Sequence, residues 1–367
     1  MSTTFILLQI LSVFFCNFCL FPYYCNALHA SRITHLPGFN GSLPFYLETG
    51  YVTVNEESGA ELFYYFVESE RNPSDDPLIL FLVGGPYCSG FSGLALDVGP
   101  LGFMVKAYDG TLPTLTSNPF SWTQISSIIF LDWPVGTGFS FSPSIVDYHT
   151  DEVKSAKQIY KFLIKWLLDH PSFQSNPFYV AGDSYGGKMA PLSALEIADG
   201  NENFRQPFVN LKGYLVGNPV TSDRIDISSQ PPHAYGLGII SDELLKGTVE
   251  EWHRCKQDSN NYTYNVPTSV PHHLNLIRRG YRALIYSGDH DLDIPFIGTL
   301  KWVRSLNFSI VENWRSWRAG GQVAGYTILF SNNLTFATVK GGSHTAPNNM
   351  PLQCFVMFER WISHKSL

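Results

Sequence analysis

The sequence predicts an α/β fold with a mostly parallel central sheet and helices on both faces. Three observations carry this expectation. Short apolar runs recur at 78–83, 127–131, 178–181, 211–216, 283–287 and 336–339, as strands buried on both faces require. Between two of them Val153, Ala156, Ile159, Leu163, Trp166 and Leu167 form a stripe at helical spacing. Several runs end in glycine-rich turns that carry Ser, Asp or His, at the edge where open α/β sheets hold their ligands. At 367 residues and 44% hydrophobic, the chain is long enough for one large domain.

The elements follow in order. Residues 1–27 are apolar and read as a signal peptide, with cleavage near Ala27 or Ala30. An uncleaved N-terminal anchor is the alternative, because the segment has no Lys or Arg. Residues 28–367 form the domain. Residues 52–54 and 61–67 read as an antiparallel hairpin. Strands follow at 78–83 and 127–131. Thr150 is the expected N-cap of a helix running to His170, ended by Pro171. The run 178–181 breaks into Gly182-Asp183-Ser184-Tyr185-Gly186-Gly187 and then a helix-compatible stretch, 188–198. Strands at 211–216, 283–287 and 336–339 come next, and an amphipathic stretch, 354–362, closes the chain.

Serine on a strand–turn–helix corner is held with its hydroxyl above the sheet. The run 283–287 leads into Gly288-Asp289-His290-Asp291, and 336–339 leads into Gly341-Gly342-Ser343-His344. The chain order is therefore serine, acid, histidine, that of the α/β-hydrolases. Each group is needed: histidine removes the serine proton, and a carboxylate fixes the imidazole tautomer and stabilises its charged form. Gly84-Gly85 follow the strand 78–83 and can present a backbone N–H to an oxyanion. The N–H of Tyr185, after the nucleophile, would be the second donor.

These segments closely resemble the plant serine carboxypeptidase-like family over nearly the whole chain. The resemblance runs through 36–39 (LPGF), 49–52 (TGYV), 63–66 (FYYF), 84–86 (GGP) and 131–140 (LDWPVGTGFS). It continues through 182–187 (GDSYGG), 217–219 (GNP), 286–291 (YSGDHD) and 342–344 (GSH). It implies the α/β-hydrolase fold, Ser184 as nucleophile, Asp291 as acid and His344 as base, with Gly85 and Tyr185 as oxyanion amides. Asp289 competes for the acid role. The spacing Gly288, Asp291, Pro295, common at this corner of related hydrolases, selects Asp291 and leaves Asp289 to hold the loop. The resemblance also implies a disulfide between Cys88 and Cys255. Cys16, Cys19 and Cys25 would leave with the signal, and Cys354 reads as a buried thiol.

Three departures from the family bear on substrate. At the substrate-binding positions Val83, Gly84 and Asp183, the carboxypeptidases usually carry Asn in place of Val83 and Glu in place of Asp183, and use them to recognise a terminal carboxylate. The Asp before the serine instead resembles the branch that moves acyl groups from glucose esters. Tyr87 stands where the family has glycine; a positive φ there would strain it by roughly 1–3 kcal/mol. The lid insertion around 225–260 reads as shortened, because segments that flank a long insertion in the family abut here.

The expected partner is a small acyl ester or a peptide. The net charge is −7 without a Lys/Arg cluster, so nucleic-acid binding has no electrostatic support. No later stretch reaches membrane-spanning length, so no stable membrane association is expected after signal cleavage. No Cys/His cluster suggests a metal, and no cofactor is implied. His272, His273 and His290 read as surface or loop residues. Sequons at Asn40, Asn261, Asn307 and Asn333 fit a secreted or vacuolar glycoprotein. Nothing in the sequence specifies an oligomeric state.

Overall fold

In the computed structural model, residues 30–107, 110–242, 245 and 261–367 are described. Eleven strands form one sheet: β1 (Ala30–Ile33), β2 (Leu47–Asn55), β3 (Ala60–Val67), β4 (Leu78–Leu82), β5 (Ser127–Leu131), β6 (Phe178–Asp183), β7 (Leu211–Gly217), β8 (Arg282–Gly288), β9 (Ile310–Ala319), β10 (Gln322–Phe330) and β11 (Leu334–Val339). Their spatial order is β1-β2-β3-β5-β4-β6-β7-β8-β11-β10-β9. The six middle strands, β5 to β11 in that order, are parallel. Antiparallel strands flank them on both sides. The sequence-predicted hairpin is β2–β3, longer than the apolar residues alone suggest and flanked by β1, which forms the edge of the sheet.

Among the described residues, six helices of nine or more residues accompany this sheet: α1 (Glu152–Asp169), α2 (Tyr185–Glu202), α3 (Asp223–Gly236), α4 (Val270–Arg278), α5 (Phe296–Ser305) and α6 (Pro351–Ile362). Strand alternation divides the core in two. Leu78, Leu80 and Leu82 of β4 join Ile159, Phe162 and Trp166 of α1 and Met189 and Ala194 of α2 in one buried cluster. Ile79, Phe81 and Val83 face the other way, into a cluster with Met357, Phe358 and Trp361 of α6. This is the fold expected from the sequence: an α/β-hydrolase sheet with helices on both faces.

Local details correct the sequence reading. The N-cap of α1 is Asp151, whose side chain accepts from the Lys154 N–H at 2.8 Å, while Thr150 pairs its hydroxyl with Ser155. A carboxylate one residue later also complements the helix dipole, which a threonine cannot. Val153 is 41% exposed and outside the stripe; Phe162 is buried in it instead. His273 is a core residue: it lies on α4, pairs with the Tyr214 hydroxyl at 2.8 Å and packs on Trp302. Burial drives its pKa down to about 3, so it is neutral. Cys354 is fully buried as expected.

The parallel register aligns the strand ends. Gly182 of β6 sits beside Leu82 of β4, Gly217 of β7 beside Asp183 and Tyr286, and Gly288 of β8 beside Val339 of β11. The loops after β4, β6, β7, β8 and β11 therefore leave the sheet along one edge, and the site lies there.

Candidate active site

Ser184 follows β6 directly and precedes the first residue of α2, with φ 51° and ψ −122°. Such a conformation is costly for a residue with a Cβ and marks a functional corner. Two glycines make the corner possible. A Cβ on Gly186 would drive into the Leu82 carbonyl oxygen, and one on Gly84 would lie 2.6 Å from the Ser184 Cβ. The strand-to-helix turn is thus pressed against the end of β4.

The Ser184 hydroxyl donates to His344 Nε2 at 2.8 Å, and His344 Nδ1–H donates to Asp291 Oδ2 at 2.8 Å. The tautomer is the one this network requires. Asp291 is buried and accepts three further bonds: Asn218 Nδ2–H at 2.6 Å, Asp293 N–H at 2.8 Å and Ile294 N–H at 3.2 Å. Burial alone would raise its carboxyl, but His344 and these donors hold it below the ordinary carboxylate value. Burial likewise pulls the His344 imidazolium down, and the bond to Asp291, with the charges of Asp291, Asp293 and Asp183, holds it above its ordinary value. Asp289 is not in this chain of bonds. Its carboxylate accepts from the Gly341 N–H at 2.6 Å and ties the Asp291 loop to the His344 loop.

The loop after β4 approaches Ser184 from the other side. The Tyr185 N–H opens α2, where no intrahelical acceptor exists. The Gly85 N–H has no acceptor among the described residues. Asp132, at the end of β5, braces this loop by accepting from Ser89 Oγ–H and the Gly90 and Phe139 N–H groups at 2.7–2.8 Å. That explains the 131–140 motif structurally.

The amino-acid sequence matches the family model described as serine carboxypeptidase at residues 37–249 and 244–364. The chain belongs to the serine carboxypeptidase family. Serine carboxypeptidase-like 5 of Arabidopsis thaliana is 43% identical, covering 92% of this chain and 94% of the relative. Serine carboxypeptidase-like 7 of the same organism is 41% identical, with the same two coverages. Among solved structures, the fold matches Kex1(delta)p, a prohormone-processing carboxypeptidase from Saccharomyces cerevisiae, with TM-score 0.73 and 18% identity, over 87% of this chain and 92% of that one. The protein is a serine carboxypeptidase-like enzyme with the α/β-hydrolase fold, so a small molecule or a peptide is its substrate. The alignment to serine carboxypeptidase-like 5 spans 411 positions, more than the 367 residues of this chain, so the relative carries internal residues without a counterpart here.

Asp97 was invisible to sequence reasoning, and it lies near Asp183, which the sequence did single out. Asp97, at the end of the Gly93–Asp97 turn, is 7% exposed and Asp183 is 8% exposed. Burial, and then the charge of Asp183, pushes the Asp97 carboxyl well above its usual value. Burial raises Asp183 to about 6, against the opposing His344 charge and the Gly84 N–H. One Asp183 oxygen is buried without a partner among the described residues. Val83 is 4% exposed and packs in the core under α6, so its side chain lines no open surface.

Tyr87 has φ 73°, the positive value that strains a non-glycine residue. Its ring packs edge-on to Tyr262 at 5.8 Å, and Tyr262 in turn packs on Tyr185 and Tyr264. The Tyr185 hydroxyl donates to buried Glu152 at 2.7 Å. Cys88 is exposed; Cys255 lies outside the described residues, as do residues 1–29 and most of 243–260. Asn40, Asn261, Asn307 and Asn333 are all exposed. Among the described residues no helix is long and apolar enough to cross a membrane.

Proposed function

We propose that the chain is a serine acyltransferase that forms an acyl-enzyme on Ser184 and moves an acyl group from a glucose ester to an alcohol or amine. The observation that carries this reading is the continuous bond chain Ser184–His344–Asp291. Ser184 Oγ gives its proton to His344 Nε2 and attacks the ester carbonyl. The carbonyl oxygen becomes an oxyanion at the Gly85 and Tyr185 N–H groups. The bond to the sugar oxygen breaks, and the sugar leaves with the proton from His344. The acceptor then loses its proton to His344, attacks the acyl carbon, and Ser184 recovers its proton. Water in the acceptor's place gives hydrolysis. Asp291 keeps Nε2 available as the base and stabilises the imidazolium.

Val83 has no polar atom to bond a terminal carboxylate, and Asp183 is one methylene shorter than glutamate. Both favour ester transfer over peptide hydrolysis. The test is to incubate the mature protein with acyl-glucose esters and blocked dipeptides and follow products by mass spectrometry. Transfer products from at least one ester are expected; robust release of C-terminal amino acids with no transfer product would reverse the assignment.

The buried Asp97 and Asp183 support a second reading, a serine carboxypeptidase. A protonated carboxyl donates a hydrogen bond to a substrate carboxylate, and an ionised one repels it. Asp183 holds its proton below about pH 6. Under this reading KM for peptides with a free C-terminus rises as pH climbs through about 6, while KM for esters without a carboxylate stays flat. Equal pH dependence for both substrate types would dismiss a role for the pair in carboxylate binding.

A third reading, an impaired enzyme, draws support from the strained Tyr87. Relief of strain of roughly 1–3 kcal/mol favours Tyr87→Gly; loss of its packing on Tyr262 opposes it. If the strain displaces the Gly85 N–H, Tyr87→Gly speeds fluorophosphonate labelling of Ser184. An unchanged or slower rate shows that tyrosine fits the loop.

The shortened lid is supported by the alignment longer than the chain and by the two family segments, which meet at 244–249. We further propose a signal peptide at 1–27, a Cys88–Cys255 bridge, glycans at the four exposed asparagines, and secretion or delivery to a vacuole.

A further inference from the structure

His344 stands between two carboxylates. Asp291 faces its Nδ1 at 2.8 Å, and Asp293 Oδ2 lies 3.8 Å from its Nε2, the nitrogen that also meets Ser184 Oγ. The loop fixes where the Asp293 side chain emerges. The Asp293 N–H donates to Asp291 Oδ1 at 2.8 Å, and its carbonyl accepts from Gln230 Nε2–H of α3 at 2.8 Å. The side chain is 30% exposed, against 1% for Asp291. No sequence motif singled it out, and the bond chain of the site does not include it.

We propose that Asp293 is a positioning residue that stabilises the His344 imidazolium from the Nε2 side during the interval in which that nitrogen carries the serine proton. The inference rests on the reading of Ser184 and His344 as nucleophile and base. A charge on Nε2–H develops within 4 Å of Asp293, where opposite charges favour the protonated imidazole. Asp291 cannot supply this, because it is committed to Nδ1 and lies on the other side of the ring. The other charged groups facing His344 are Asp291 on the same loop, Asp183 at the end of β6, and Asp97 on the turn after β4, whose carboxyl also feels the His344 charge. Two of these are buried acids held towards the neutral form, whereas the part-exposed Asp293 carboxylate lies 3.8 Å from Nε2 itself.

The test is the pH profile of fluorophosphonate labelling at Ser184, which follows the neutral fraction of His344. Removing the charge with Asp293→Asn lowers the His344 pKa, so the base form persists to lower pH. The acid limb should move down by about 0.5–1 unit, less than the roughly 1–3 units of a shielded pair, because Asp293 is part-exposed and screened. High salt should shift the wild-type limb in the same direction and leave the variant nearly unmoved. Asp293→Glu should restore the wild-type limb. An Asp293→Asn profile lowered equally at every pH, with its limb in place, would overturn the proposal and reduce Asp293 to a loop residue. Wild-type protein that labels at no pH would instead overturn the nucleophile–base reading, and this proposal with it.

Discussion

Replacing Ser184 with alanine should remove labelling entirely and cut turnover by a factor on the order of 10⁴ or more. His344→Ala should cost as much, and Asp291→Asn somewhat less. Combining the three should add little, because they act as a unit: once the serine cannot lose its proton, its base has nothing to do. The structural ground is that one unbroken line of bonds, 2.8 Å at each step, joins the three side chains. Asp289→Asn is the informative control. Its carboxylate holds the Gly341 N–H, so the variant should lose stability before chemistry, with a lower midpoint of unfolding and a labelling rate within a few-fold of wild type. Near-normal turnover in Asp291→Asn together with loss in Asp289→Asn would reverse the acid assignment.

The second large effect is expected from a single methyl group. Gly186→Ala places a Cβ against the carbonyl oxygen and carbon of Leu82, which belong to the backbone of β4 and are bonded into the sheet. Neither the strand nor the start of α2 can withdraw cheaply, since β4 is paired on both sides. Overpacking of this kind costs about 1–3 kcal/mol. The displaced turn also carries Ser184 and the Tyr185 N–H. Calorimetry should find a lower unfolding midpoint, and the labelling rate should fall by at least tenfold. An alanine variant with wild-type stability and labelling would mean that the corner has room that the structure does not contain.

The parts of the fold that were legible in the sequence are those whose signal is local. The parallel strands are apolar on both faces, so each appears as a continuous run whatever its partners. The serine corner was legible because its glycines and serine stand together in one short motif, even though Gly186 is held by the backbone of Leu82 on a strand far away in the chain. The edge hairpin of β9 and β10 was missed. β9 reads IVENWRSWRA and is largely exposed, so it has no apolar run. Its one clear signal is the Gly320-Gly321 pair, with φ 55° and 77°, a two-residue turn. α3 was missed because Pro231 and Pro232 argue against a helix and no stripe opposes them. The burial of His273 depends on Tyr214, 59 residues away, and Asp97 and Asp293 reach the site through the topology of the sheet. Such pairings have no footprint in spacing along the chain.

Nucleophilic catalysis by Ser184 is tested most directly by trapping the acyl-enzyme. Mature protein is mixed with an acyl-glucose ester without acceptor, quenched in acid within seconds, digested and read by mass spectrometry. The peptide containing Ser184 should gain the mass of the acyl group, an added alcohol or amine acceptor should discharge it into an ester or amide, and Ser184→Ala should carry no adduct. Product formation without any adduct on Ser184, or an equal adduct in Ser184→Ala, would contradict nucleophilic catalysis by Ser184.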